Sequence, residues 1–139
     1  MKRFLGSPVL TGLLIALALL ASAGANISMA QANTLSPGML AIQGHWIRTD
    51  APYVLELTHA KDGSLQTAYY NPKPINVGKT ETAEENGTVQ LLVELQDVNY
   101  PGSTYILSFN RQQDQLQGIY FHPETQQSYE VTFVRQVTK

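Results

Sequence analysis

From Gly44 onward the chain alternates. "TVQLLVELQDV" over 88–98 sets Val89, Leu91, Val93 and Leu95 on one face, opposite Gln90, Glu94 and Gln96. "SYEVTFVRQ" over 128–136 sets Tyr129, Val131 and Phe133 opposite Glu130 and Thr132. A period of two is that of a strand buried on one face, and no window of helical period competes with it. Turn residues punctuate the pattern at "DAP" (50–52), "KDG" (61–63), "NPKP" (71–74), "EENG" (84–87), "NYPGS" (99–103), "RQQD" (111–114) and "HPETQ" (122–126). Seven turns separate eight segments, expected near 44–50, 53–60, 64–70, 74–82, 88–98, 103–110, 115–122 and 127–137. Almost every link is hairpin-short, which favours a meander over a Greek key with its long return connection. Eight meandering strands close most economically into a barrel, which removes exposed edges. The pattern therefore predicts an all-β mature chain, with an eight-stranded antiparallel up-and-down barrel over 44–139.

The segment before it reads differently. Met1-Lys2-Arg3 is a short basic start, and Pro8 to Ala25 is an apolar run that ends in small residues. That is the layout of a secretory signal peptide. Small-x-small sites place cleavage after Ala32, with Ala25 as the competing site. The competing reading is an uncleaved anchor, since the run nearly reaches the ~18–20 residues that span a bilayer; the richness in small residues weighs against it. The expected organisation is a signal peptide over 1–32, a linker over 33–43 with a Pro-Gly stretch, and the barrel. The localisation expected is periplasmic or secreted, with no stable membrane anchor after cleavage.

Charge and cysteine content narrow the partners. Of nine Lys and Arg the leader removes Lys2 and Arg3, leaving seven against eleven Asp and Glu. A mildly acidic domain suits neither nucleic acid nor anionic membrane. With zero cysteines, disulfides, thiolate catalysis and Cys-ligated metals are excluded. About 105 mature residues make one domain.

The single tryptophan stands in "IQGHWIRTD" (42–50), at the start of the first strand. Gly44-His45-Trp46 there, with Arg135 in "FVRQ" near the end of the last strand, resembles the Gly-x-Trp and C-terminal Arg pattern of the calycin superfamily, which includes lipocalins, fatty-acid-binding proteins and avidins. That resemblance implies a Trp46 plugging the closed end of the barrel with Arg135 across its ring. The likeness to avidins continues to Tyr69, where "KDGSLQTAY" looks like their second hairpin. Biotin capture is not implied: avidins use several tryptophans and an Asn and a Ser near the first turn, where Arg48 and Pro52 stand here. Only Tyr69 fits. "DVNYPGSTY" resembles a stretch found in an uncharacterised group of secreted bacterial proteins, which implies no function.

With Trp46 and Arg135 at the closed end, loops 61–63, 84–87 and 111–114 fall there as tight structural turns. Loops 50–52, 71–74, 98–103 and 122–126 fall at the open end, with most of the prolines. Inward parity puts Leu57, Leu65, Val89, Leu91, Phe109, Leu116 and Phe133 in the lower half. Near the mouth the inward positions become Tyr53, Tyr69, Asp97, Tyr105, Tyr120 and Tyr129, so five of the seven tyrosines converge there, with Tyr100 on a loop above. Aromatic walls with hydroxyls suit a small ligand. Tyrosines at a barrel mouth with rings packed and hydroxyls in water are the plainer alternative.

Other chemistry is not indicated. His45, His59 and His122 sit in different strands without metal-ligand spacing, and no Ser-His-Asp arrangement, phosphate loop or paired carboxylates appear. Glu84-Glu85 reads as a solvated tip, and Asn86-Gly87 as a hairpin turn rather than a glycosylated sequon. The expectation is a non-enzymatic exported binding module, without metal or cofactor, taking a small apolar or aromatic ligand. The competing reading is a protein partner. The chain also resembles small periplasmic inhibitors of secreted metalloproteases, barrels that use a free N-terminal arm, which Asn33–Ala41 would supply; the cysteines usual in that family are missing. A purely structural envelope barrel is the third. N-terminal sequencing of the exported protein is expected to begin at Asn33, or at Asn26; an intact Met1 on membrane-bound material contradicts cleavage.

Overall fold

Residues 34–137 are described by a computed structural model; the leader expected over 1–32 lies outside them. A five-residue helix, α1 (Pro37–Ala41), precedes nine strands: β1 (Gly44–Arg48), β2 (Val54–His59), β3 (Leu65–Asn71), β4 (Lys73–Ile75), β5 (Val77–Glu85), β6 (Thr88–Asp97), β7 (Tyr100–Asn110), β8 (Gln115–His122) and β9 (Gln127–Arg135). All lie in one antiparallel sheet in the order β4-β3-β2-β1-β9-β8-β7-β6-β5. First strand pairs with last, Trp46 opposite Arg135 and Arg48 opposite Phe133. The result is an up-and-down barrel, nearly closed.

It has nine strands where alternation and turns predict eight. The difference lies in the fourth segment, which bends at Asn76. Its first part pairs back on β3, Tyr69 opposite Ile75, and the rest pairs with β6, Val77 opposite Leu95. Pro74 brings no N–H to a ladder, and the register shifts between Val77 and Lys79. Asn76 and its neighbours hold the crossing. Its amide donates to Asp97 Oδ2 at 2.8 Å, its side chain donates to the Gln96 carbonyl at 2.9 Å, and its own carbonyl accepts from Gln96 N–H at 2.9 Å. One chain segment thus carries the sheet from one edge to the other near the mouth. Below it no ladder joins β3 to β5. Lys79, Glu81, Glu84 and Glu85 on β5 keep that edge charged, which discourages pairing with other chains.

The turns obey their residues. Asn86 and Gly87 both have positive φ, 51° and 77°, as a type I′ hairpin requires. The open-end loop expected over 98–103 is instead a two-residue link, Val98-Asn99, and β7 already begins at Tyr100. Pro101 and Gly102 fit into β7 because the ladder is irregular there, between Glu94 and Gln96, with Gly102 at φ 85°.

The interior is solid. Trp46, Leu55, Leu57, Val93, Leu95, Tyr105, Leu116 and Phe133 are fully buried, and Tyr69, Val89, Leu91 and Leu107 nearly so. Leu65 is only partly buried. Eight or nine strands leave a bore that side chains of this size fill.

At the closed end the N-terminal segment is folded onto the barrel. Ser36 caps α1 by accepting from Met39 N–H and bonds Glu84. Ile42 is fully buried, and its carbonyl accepts from Trp46 Nε1 at 2.8 Å. Arg135 then ties the parts together. Its Cζ lies 4.2 Å from the centre of the Trp46 ring. Nη1 donates to Gln43 O at 2.6 Å, Nη2 to Ala41 O at 2.7 Å, and Nε and Nη2 form a fork with Asp114 at 2.8 and 2.9 Å. That fork holds the Asp114 carboxyl below its usual range. Gly44 makes room for it: with φ 140°, a Cβ there would fall 2.7 Å from Arg135 Nη1. From Ser36 to Gln43, then, the stretch expected as a linker or arm is bound to the barrel.

Arg135→Ala is expected to cost about 1–3 kcal/mol, through the lost stacking and the unpaired helix-end carbonyls. Arg135→Lys should recover only part, because a single ammonium cannot reproduce the planar fork. Urea melts followed by Trp fluorescence measure both; an Ala variant that melts with wild type contradicts the closing role.

Candidate functional site

Strand alternation places a charge at the mouth. Trp46 points inward at the closed end, so Arg48, two residues on, points inward nearer the open end. It stands opposite the buried Phe133, and its side chain is only 10% exposed. Burying a guanidinium is costly unless it is paired. Asp50, in the turn that follows, supplies the pairing: Nε donates to Oδ1 at 2.9 Å and Nη2 to Oδ2 at 2.6 Å. Nη1 donates to the Tyr105 hydroxyl at 3.2 Å. The cation also lies 5.1 Å from the Tyr53 ring centre and 5.9 Å from that of Tyr120. Burial opposes the charge on Arg48, but Asp50 and Tyr105 overcome that and raise its pKa. Arg48 is a permanent cation. The same fork lowers the Asp50 pKa, although that carboxylate is 58% exposed.

Around Arg48 lies a recess of about 370 Å³, lined by Arg48, Asp50, Ala51 and by Tyr53, Tyr69, Tyr100, Tyr105, Tyr120 and Tyr129. This is at the small end of the range for small-molecule sites, about 300–1,000 Å³. The rings form a continuous series. Tyr53 meets Tyr69 edge-on at 6.3 Å, Tyr69 and Tyr105 tilt together at 5.6 Å, Tyr105 and Tyr120 at 4.7 Å, and Tyr120 stacks with Tyr129 at 6.5 Å. Tyr69 and Tyr105 form the floor, their hydroxyls bonded to each other at 2.8 Å. Tyr129, 48% exposed, is the outer wall, its hydroxyl bonded to Gln127.

Two of the expected site residues stand elsewhere than alternation suggests. Tyr100 belongs to β7 and not to a covering loop; its ring meets Tyr69 at 6.5 Å and its hydroxyl accepts from Asn71. Asp97 does not line the recess. Its carboxylate accepts from the amides of Asn76 and Val98, which lower its pKa and use it to hold the strand crossing. The histidines serve separately: His45 pairs with Glu56 across β1 and β2 at 3.2 Å, His59 contacts Gln43, and His122 lies edge-on to Tyr120. Among the described residues no three His, Cys, Asp or Glu side chains group as metal ligands would.

Arg48 and Asp50 are the site residues that the sequence reading passed over. The signal for Arg48 was present, since it is two residues from an inward Trp. A larger hollow of about 680 Å³, at the closed end, is lined by exposed turn residues such as Glu84, Arg111 and Gln112 and holds no buried charge. The tyrosine recess is the better candidate because its polar groups converge. It presents flat aromatic surface, hydroxyls and one cation, and no nucleophile activated by a base.

No family model matches this chain, and no curated protein or solved structure matches it.

Burial pushes the Tyr105 phenol up to about 12, against the Tyr69 bond and Arg48, which pull it down. Burial first, then Tyr105, raises Tyr69 further, and burial also raises Tyr120. Unfolded tyrosines ionise near 10. The fold favours the neutral phenols, so their contribution to stability is complete below pH about 10 and is lost as pH rises through the folded values. Tyrosinate absorbance from these three is expected to appear together with loss of the β-sheet circular dichroism. Smooth ionisation of all seven tyrosines with the sheet signal unchanged is the contrary outcome.

Proposed function

We propose that this protein is an exported, non-enzymatic binding module, a calycin-like barrel that captures a small aromatic molecule at its open end. The observation that carries this reading is the convergence of six of the seven tyrosines on one recess of about 370 Å³. Packing alone does not call for it. The barrel is already filled below by Leu, Val and Phe, and Tyr53, Tyr120 and Tyr129 remain partly open to solvent. Rings held at fixed separations on strands offer stacking area at little entropic cost, since the scaffold has already ordered them. The calycin likeness rests on the first-to-last strand closure by Trp46 and Arg135. Export rests on the leader pattern before Asn33. The inhibitor reading, which needs a free N-terminal arm, draws no support from a segment bound through Ala41, Ile42 and Gln43.

The test is native mass spectrometry of protein purified from its own host, with a thermal-shift screen of aromatic metabolites, lipids and cell-wall fragments. The structure also selects better variants than those at the floor: Tyr69 is part of the core, whereas Tyr53 and Tyr129 are walls. Tyr129→Thr and Tyr53→Thr are expected to leave the fold intact and to weaken a captured aromatic ligand about three- to tenfold each, the worth of one ring contact. A host-purified protein that carries nothing, together with a screen in which no compound raises the melting temperature, overturns this function.

A further inference from the structure

The two arginines inside this barrel are built alike and finished differently. Both lie against aromatic rings, and both grip one aspartate through Nε and Nη2. Arg135 spends its remaining bonds on the backbone carbonyls of Ala41 and Gln43. Arg48 reaches no backbone carbonyl. Its bonds to Asp50 and Tyr105 use three of the five N–H donors of a guanidinium. Two donors therefore have no acceptor among the described residues, on a side chain that lines an open recess. The two counter-ions are both turn carboxylates about half exposed, but Asp114 is 21 residues from Arg135 and belongs to another turn of the barrel. Asp50 is two residues away, on a short turn at the rim, and more than half exposed, so it can swing into water without disturbing a strand.

We infer that the recess recognises a small aromatic carboxylate, whose anionic end takes the Arg48 fork in place of Asp50 while its ring stacks among Tyr53, Tyr120 and Tyr129. The inference rests on the binding function proposed above and names the ligand class. A planar guanidinium reads a carboxylate through two parallel bonds, and here that plane is held rigid between rings. An apolar ligand would leave the cation with its present partner and gain stacking alone. A cationic ligand would meet Arg48 and be repelled. A carboxylate exchanges one Arg48 ion pair for another inside a partly desolvated recess, where charge-assisted bonds are stronger than in water, and frees Asp50 to hydrate. Asp50 thus acts as a built-in competitor that keeps Arg48 paired when no ligand is present.

The experiment compares benzoate with benzamide, a neutral probe of nearly the same shape, on the intact mature protein. Binding is followed by calorimetry and by the NMR signals of the tyrosine rings, with acetate as the ring-free control. Benzoate is expected to bind at least about fivefold more tightly than benzamide, and acetate more weakly than either. Asp50→Asn removes the competing charge and should tighten benzoate by about threefold or more while leaving benzamide unchanged. Arg48→Gln should erase the preference. Equal affinity for benzoate and benzamide in the wild type overturns the inference without any variant having to fold, and so does an Asp50→Asn protein that melts like wild type yet binds benzoate no better. The two readings separate cleanly. Ring signals that move with benzamide but show no preference for benzoate leave the aromatic site standing and remove the anion. Ring signals that move with neither probe, in wild type or Asp50→Asn, overturn the inference, while the aromatic site itself falls only if the host-purified protein carries nothing and the screen finds no compound.

Discussion

The barrel hangs on the stacking of Arg135 over Trp46. A sheet that runs from β4 to β5 has two loose edges and becomes a barrel only if it curls, and across that gap it is joined by the chain segment at Asn76 and by the side-chain bonds Tyr69–Tyr105 and Asn71–Tyr100. What keeps the curl is the junction of first and last strands, and there the ladder is short, from Trp46–Arg135 to Arg48–Phe133. Arg135 adds bonds outside that ladder. Its donors join the carbonyls of Ala41 and Gln43 and the turn carboxylate of Asp114, while its face lies on the indole of β1. A guanidinium suits this because its donors and its face act at once. In a domain with no disulfide, such a node takes over part of what a covalent link does elsewhere.

Closure at one end leaves the other end to chemistry. The core fills to the level of Tyr69 and Tyr105 and stops, and above it the strands carry tyrosine where below they carry leucine, valine and phenylalanine. The exchange is physical in origin. A ring with a hydroxyl satisfies both a packed interior and a wet rim, and the paired hydroxyls of Tyr69 and Tyr105 mark the depth at which polar groups must find partners within the protein. Arg48 enters at that depth. It is tolerated because Asp50, Tyr105 and two ring faces compensate its desolvation.

Much of this was legible in the chain. The strands of 88–98 and 127–137, the Asn86-Gly87 hairpin and the core positions Leu57, Val89, Leu91, Phe109, Leu116 and Phe133 follow from alternation and turn chemistry, which are local. The convergence of tyrosines follows from the same parity. Tyr100 is less legible, because a Pro-Gly pair reads as a loop when it is an irregular stretch of β7, and Asp97 because its partner Asn76 lies between β4 and β5. The fourth segment reads as one strand because nothing within 74–82 announces that it changes partners. A partner change is a property of two neighbours, β3 and β6, and neither is local to Asn76.

By itself, then, the sequence determined the class of element, the inward face of each strand and the identity of the residues that face can offer. Those depend on steric and hydrophobic preferences that act over a few residues. Only the tertiary structure decided the strand count, the small gap between β3 and β5, and the pairing of Arg48 with Asp50 beneath a wall of rings. Each of these depends on which strands meet. Burial also depends on that meeting: Arg48, two residues from Trp46 in the chain, is one more charged residue, and it becomes a caged cation only when Tyr53, just before β2, and Tyr105, Tyr120 and Phe133 of β7, β8 and β9 come around it.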